Sequence, residues 1–207
     1  MMYRVFKRAF DFTSALLLFV VISPLFLVLM ICAWISIGKP IFFHQIRSGK
    51  GKKPFGLIKF RTMTNATDEA GNLLPDAERL TRFGRFLRNS SLDELPELLN
   101  IIKGDMAVIG PRPLYPRYDA YYSEYENNRF KVRGGLIPPE SLYHDSFLTW
   151  DKQLKYEADY AENLSLKLDI QILISVFNTM LRRNQEDYGE YDRQPLDVER
   201  NYMTKDE

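Results

Sequence analysis

The chain has 207 residues, with Lys+Arg 28 against Asp+Glu 27 for a net charge of +1. That length suits one domain with an appendage and can bury a core without staples. The near-neutral balance gives no global attraction to nucleic acid, and a single cysteine excludes an intramolecular disulfide and a cysteine-rich zinc site.

The mean hydropathy of -0.28 is that of a soluble protein, but the apolar residues are not evenly spread. Residues 12–37, FTSALLLFVVISPLFLVLMICAWISI, carry no charge. As a helix this run would be about 39 Å long, against a hydrocarbon core of roughly 30 Å. A signal peptide fits less well, because the run is too long and no A-x-A-like site ends it. A soluble core helix would show a polar face, and this one has none. Ser23-Pro24 interrupts the run, and both flanks are basic: Arg4, Lys7 and Arg8 before it, Lys39, Arg47, Lys50, Lys52, Lys53 and Lys59 after it. Lys and Arg collect on the cytoplasmic side. If both flanks obey that rule, the helix enters one leaflet, bends at Ser23-Pro24 and returns. A kinked spanning helix is the alternative, since proline is tolerated where neighbours satisfy the freed carbonyl.

After the run, Phe42-Phe43 and Phe55 to Ile58 read as short strands around a turn at Gly49, Gly51 and Pro54. Lys50–Lys53 suits a solvated or lipid-headgroup face. Residues 64–78 read as a polar loop, 79–89 as a short basic amphipathic helix, 93–103 as a helix and Met106–Ile109 as a strand. Residues 117–131 and 150–162 suit polar helices and 164–182 a longer amphipathic one. Tyr115, Tyr118, Tyr121, Tyr122 and Tyr125 suit either an interfacial belt or ordinary helix packing. The tail after Arg183 is polar and expected to fray. Neither GxGxxG nor GxxxxGK[ST] is present, so the standard phosphate-loop folds have no support. The fold class expected is helix-rich α+β. Residues 1–38 hold the membrane segment, 39–183 a small module whose basic amphipathic helices suit the membrane interface, and 184–207 a polar tail.

The densest chemistry lies in Arg88 to Pro113, RNSSLDELPELLNIIKGDMAVIGPRP. Acids and arginines around one short helix suit phosphate chemistry. A carboxylate binds Mg²⁺ or attacks phosphorus, and arginine grips phosphate oxygens with two donors. The bland reading of Asp93-Glu94 is a capping box, Ser91-x-x-Glu94, at a helix start. Arg112 stands between Pro111 and Pro113 with little backbone freedom, in what is otherwise a turn after the strand. His44 and His144 are isolated, and Cys32 lies in the apolar run.

Several further segments stand beside these. They are Arg4 to Asp11, Phe43-x-Gln45 with Arg47-x-Gly49, Lys59-Phe60-Arg61-Thr62-Met63, Leu74-Pro75, and Arg79 to Gly84. Others are Ser91 to Pro96, Lys103-Gly104-Asp105-Met106, Gly110-Pro111-Arg112-Pro113 and Tyr156-x-x-x-Tyr160, with the Leu168-Asp169 helix at the end. Together they resemble the bacterial sugar transferase family of small monotopic phosphoglycosyl transferases, over residues 2–182. The resemblance implies a re-entrant membrane helix over 1–38 that bends at Ser23-Pro24, a catalytic domain over 39–183 at the cytoplasmic face of the bacterial inner membrane, and a Mg²⁺ requirement. It implies transfer of a phosphosugar from a UDP-sugar to polyprenyl (undecaprenyl) phosphate, with release of UMP. Asp93 would be nucleophile and metal contact, and Glu94 metal ligand or base. Arg88 and Arg112 would hold phosphate, with Lys59 and Asp169 at further functional positions. Membrane lipid is an expected partner, nucleic acid is not, and the amphipathic helices leave room for a homodimer.

One stretch departs from the family pattern. Where the family carries R-P-G-[IL]-T-G-x-x-Q-V-N-G, this chain has Arg133 to Tyr143, RGGLIPPESLY. Arg133 and the second glycine remain, and the rest of a segment expected at the donor site is changed. That change supports a rival reading, a non-catalytic membrane-bound relative that scaffolds glycan-assembly enzymes. A bitopic protein with another kind of nucleotide-binding domain is a third.

Overall fold

A computed structural model describes residues 2–145, 147–182 and 193–203. In chain order they form α1 (Met2–Ile37), β1 (Phe42–Ser48), β2 (Pro54–Phe60), α2 (Asp76–Arg79), α3 (Arg82–Asn89), α4 (Glu97–Lys103), β3 (Met106–Ile109), β4 (Gly134–Ile137), α5 (Trp150–Glu162), α6 (Leu166–Arg182) and α7 (Leu196–Met203). Five short 3-10 turns join them. The strands make two two-stranded sheets, β1 with β2 and β3 with β4. The expected helix-rich α+β class is what forms. Two compact units are interleaved along the chain. A first holds the described residues within Met1–Asp11, Ile46–Phe55 and Gly104–Glu207, and a second holds Phe12–Gln45 and Gly56–Lys103.

α1 is 36 residues long with Pro24 inside it. Pro24 has no N–H to give to the Val20 carbonyl four residues back. Ser23 Oγ donates to that carbonyl instead, at 2.8 Å. The Ser-Pro pair therefore repairs locally the hydrogen bond that proline removes. Among the described residues this is the one helix long and apolar enough to cross a membrane, and only 17% of its most apolar window is buried. That exposure separates it from a soluble core helix. Such a surface in water would be an aggregation liability, which a bilayer removes.

In the second unit, Phe26, Leu29 and Ala33 of α1 pack with Phe60 and Leu87. The Phe26 and Phe60 rings lie 5.1 Å apart, and those of Phe42 and Phe60 5.4 Å. The helix expected over 79–89 starts only at Arg82, because Arg79 ends the short α2, Leu80 bridges to Met63, and Thr81 caps α3 by accepting from the Gly84 N–H at 2.9 Å. A Cβ on Gly84 would sit 1.9 Å from the Thr62 carbonyl oxygen, so α3 reaches its seat only because residue 84 has no side chain.

The first unit is built on aromatic side chains. Tyr118, Tyr122, Phe130 and Trp150 are buried with Leu114, Leu154 and Leu196. This favours the packing reading of the tyrosines for Tyr118 and Tyr122, while Tyr125 is exposed. The helix expected over 117–131 does not form. Two 3-10 turns, Pro116–Tyr118 and Glu126–Lys131, take its place, and the rings point to one core without a 3.6-residue stripe. β3 runs parallel to β4, with Met106 opposite Gly134 and Ile109 opposite Ile137. A Cβ on Gly135 would come within 2.1 Å of the Gly110 amide nitrogen, so only glycine permits this crossing. The tail was expected to fray, yet within 193–203 it docks: Leu196 is fully buried, and Trp150 Nε1 donates to the Gln194 carbonyl at 2.9 Å. Residues 183–192 and 204–207 of that tail lie outside the described residues.

Candidate active site

The second unit brings four of the predicted residues onto neighbouring elements. Lys59 lies near the end of β2, Arg88 on the last turn of α3, and Asp93 and Glu94 in the 3-10 turn Leu92–Glu94 that leads into α4. Ser91, just before the dyad, takes a left-handed backbone with φ 56. For a serine that conformation costs on the order of 1 kcal/mol and is held by its surroundings. Its side chain makes no cap hydrogen bond. The capping-box reading therefore fails, and Glu94 is committed elsewhere.

Lys59 Nζ lies 2.6 Å from Glu94 Oε1 and 3.3 Å from Glu97 Oε1. Glu97 was not anticipated, although Glu94-x-x-Glu97 places both acids on one helical face. Asn100 fixes the register between α4 and β2: its Oδ1 accepts from the Ile58 N–H at 3.0 Å and its Nδ2 donates to the Gly56 carbonyl at 2.8 Å. No sequence signal marks Asn100. Arg88 Nε donates to Thr62 Oγ1 at 3.1 Å. The Asp93 carboxyl is pushed above the usual range, chiefly by burial and further by Glu94, while Lys59 and Arg88 pull it back down. This is a half-buried carboxylate held between cations, able to attack an electrophile that itself carries negative charge.

No cluster of three or more His, Cys, Asp or Glu suited to a metal exists among the described residues. Mg²⁺ keeps waters and substrate phosphates and needs only one or two carboxylates. The adjacent Asp93 and Glu94 fit that demand.

The other predicted residues belong to the first unit. Arg112 is held by its backbone: its N–H donates to Glu157 Oε1 at 2.9 Å, and its carbonyl accepts from Arg129 Nη2 at 2.6 Å. Arg129 and Glu157 are themselves a buried ion pair at 2.7 Å. Beside them, the Glu140 carboxyl is pushed up to about 8, chiefly by burial and then by the charge of Glu157. Glu140 stands in the segment that departs from the family pattern. Arg133 Nε donates to the Gly104 carbonyl at 2.7 Å. Asp169 accepts from Tyr3 at 2.5 Å, Lys7 at 2.8 Å and Tyr160 at 2.7 Å, and so ties the start of α1 to α5 and α6. His144 lies against Ser175 at 3.0 Å. His44 borders a cleft of about 1000 Å³ lined by Leu27, Ile31, Trp34, Phe42 and Phe43, with Lys39 and Arg61 also on its walls.

Comparison with known proteins decides the family. The sequence matches the bacterial sugar transferases over residues 2–183. The chain belongs to that family. It is 42% identical over 169 residues to the uncharacterized sugar transferase EpsL of Bacillus subtilis (strain 168), covering 82% of this chain and 84% of EpsL. It is 33% identical over 186 residues to the UDP-glucose:undecaprenyl-phosphate glucose-1-phosphate transferase of Caulobacter vibrioides, covering 84% of this chain and 69% of that protein. A transferase of the same name from Xanthomonas campestris pv. campestris is 35% identical over 163 residues, but the match spans only 34% of its length. The matched region contains every candidate residue above, including the altered segment.

Proposed function

We propose that this enzyme transfers a phosphosugar from a UDP-sugar to polyprenyl phosphate. The observation that carries the reading is Asp93, a half-buried carboxylate next to Glu94 and under the pull of Lys59 and Arg88. An Asp93 carboxylate oxygen attacks the β-phosphorus. The bond from that phosphorus to the bridging oxygen breaks, and UMP leaves with the electron pair. Asp93 then carries the phosphosugar as an acyl phosphate. A phosphate oxygen of the polyprenyl acceptor attacks the same phosphorus, which frees the carboxylate and forms the polyprenyl-diphosphate sugar. Dividing the transfer lets a water-soluble donor and a lipid acceptor use one nucleophile in turn.

Arg88 and Arg112 hold phosphate oxygens, and Lys59 keeps Glu94 in place while favouring ionised Asp93. Asp93 and Glu94 hold Mg²⁺, which when bound offsets the negative charge of the diphosphate. α1 sits in the bacterial inner membrane as a re-entrant helix with the catalytic residues at the cytoplasmic face; basic residues on both flanks support that topology. The apolar cleft with Lys39 and Arg61 on its walls suits the isoprenoid chain of the acceptor. The test is nucleotide release by purified protein with Mg²⁺, undecaprenyl phosphate and single UDP-sugars. UMP release with one donor supports the reading and names the sugar. UDP release means ordinary glycosyl transfer and overturns it.

A further inference from the structure

The first unit carries a basic cavity whose lysines, Lys50 and Lys53, have no role in the reaction above. It has a volume of about 410 Å³ and is lined by the Gly49–Phe55 loop, Gly104, Asp105 and Arg133. That volume lies within the range of small-ligand pockets, roughly 300–1,000 Å³. The ammonium groups of Lys50 and Lys53 have no carboxylate partner among the described residues. Arg133 is fixed through Nε on the Gly104 carbonyl, 2.7 Å away, which leaves its two terminal nitrogens without a partner among the described residues. A guanidinium anchored in this way presents a pre-set fork, the geometry that matches phosphate oxygens. A second, smaller cavity of about 40 Å³ shares Lys50 and Arg133 and adds Arg4, Lys7 and Arg8 to the walls. Arg4, Arg8 and Lys50 thus continue the cationic lining from one cavity into the next, while Lys7 is paired with Asp169 and Asp11.

A solvated lysine face would be flat and would share its charge with nearby acids. Here the lysines line a concave space whose walls also include Gly49, Gly51 and Gly104. Residues without side chains let a ligand approach the backbone closely. Gly104 also gives Arg8 its room, since a Cβ there would lie 3.1 Å from Arg8 Nη2.

We propose that the cavity between the Gly49–Phe55 loop and Arg133 binds a phosphate group, held by Lys50, Lys53 and the terminal nitrogens of Arg133. The phosphate comes from a water-soluble phosphate compound or from the headgroup of an anionic lipid, and the experiment separates the two. Full-length protein in detergent is treated with an amine-acetylating reagent, and the modification rates of Lys50, Lys53 and Lys167 are read by peptide mass spectrometry. The runs contain inorganic pyrophosphate, dihexanoyl phosphatidylglycerol or neither, with EDTA throughout. At ten times its Kd a ligand slows reaction of the covered lysines about 11-fold. The expected result is that slowing at Lys50 and Lys53 with Lys167 unchanged. Protection by pyrophosphate alone assigns a water-soluble phosphate, protection by the lipid alone assigns a headgroup, and protection by both assigns a site that reads the phosphate itself. In a Lys53→Gln variant, protection of Lys50 at the same ligand concentration falls. Unchanged rates with both ligands, or equal slowing of all three lysines, overturns the proposal. Because no sugar transfer is measured, this result stands apart from the nucleotide-release test.

Discussion

Lys59→Met removes the cation that faces Glu94 and Glu97 and that holds Asp93 toward its ionised form. An opposite charge within about 4–6 Å moves a carboxyl by roughly 1–3 pH units. The Lys59 side chain is 21% exposed and its charge is already divided between two carboxylates. Solvent screening and that competition weaken its pull on Asp93 without removing it, so the Asp93 carboxyl rises when the cation is lost. Asp93 must be ionised to attack, so a higher pKa moves the acid limb of the rate profile to higher pH. Lys59→Met should shift that limb of kcat/KM for nucleotide release to higher pH. Glu97→Gln removes a competitor for Lys59 and one negative charge, so its limb should move the other way. The assay is initial nucleotide release across pH 5 to 9, read for the position of the limb. A limb that stays in place in both variants, or moves in one direction in both, refutes the assignment of Asp93 as the titrating nucleophile under Lys59.

Further outcomes follow from other contacts. Glu140 is raised from an ordinary 4.5 to about 8 in the folded protein, so it binds more protons folded than unfolded between those values. Its stability contribution is full below 4.5 and is lost as pH rises through about 8. Melting temperature should therefore fall across that window, and Glu140→Gln should flatten the fall; an unchanged slope contradicts the assignment. Gly84→Ala forces a Cβ against the Thr62 carbonyl and displaces the helix that carries Arg88. Overpacking of this kind costs about 1–3 kcal/mol, a loss of roughly 2–12 °C in Tm, and an unaltered Tm would show that α3 is not seated there. Met2→Cys and Val198→Cys should both label from the cytoplasmic side of inverted vesicles, whereas labelling from opposite sides would rule out a re-entrant α1.

Much of this was legible in the sequence where a single local rule decides the outcome. The uncharged run gives α1, and Ser23-Pro24 marks where its hydrogen bonding needs repair. α5 forms over the expected stretch, with Thr149 capping it by accepting from the Lys152 N–H at 3.3 Å. The Asp93-Glu94 pair stood out as acids among arginines. Less visible were features set by tertiary contacts. Residues 117–131 have helical spacing, but Tyr118, Tyr122 and Phe130 gain more by entering one core with Trp150 than by lining a helix face. Arg129 and Glu157 lie 28 residues apart, and nothing in their spacing announces that together they grip the Arg112 backbone at both its N–H and its carbonyl. The tail looked too polar to pack, yet Arg200 bonds Glu126 at 2.6 Å and Leu196 is fully buried.

The central claim is that Asp93 carries the phosphosugar. The direct measurement is the mass of the intact protein after mixing with its UDP-sugar and Mg²⁺ in the absence of lipid acceptor. The account predicts UMP released in proportion to enzyme and a gain equal to one phosphosugar, mapped to the peptide containing Asp93. Asp93→Asn should show neither, while still partitioning into membranes. Release of UDP, or full turnover by Asp93→Asn, would contradict it.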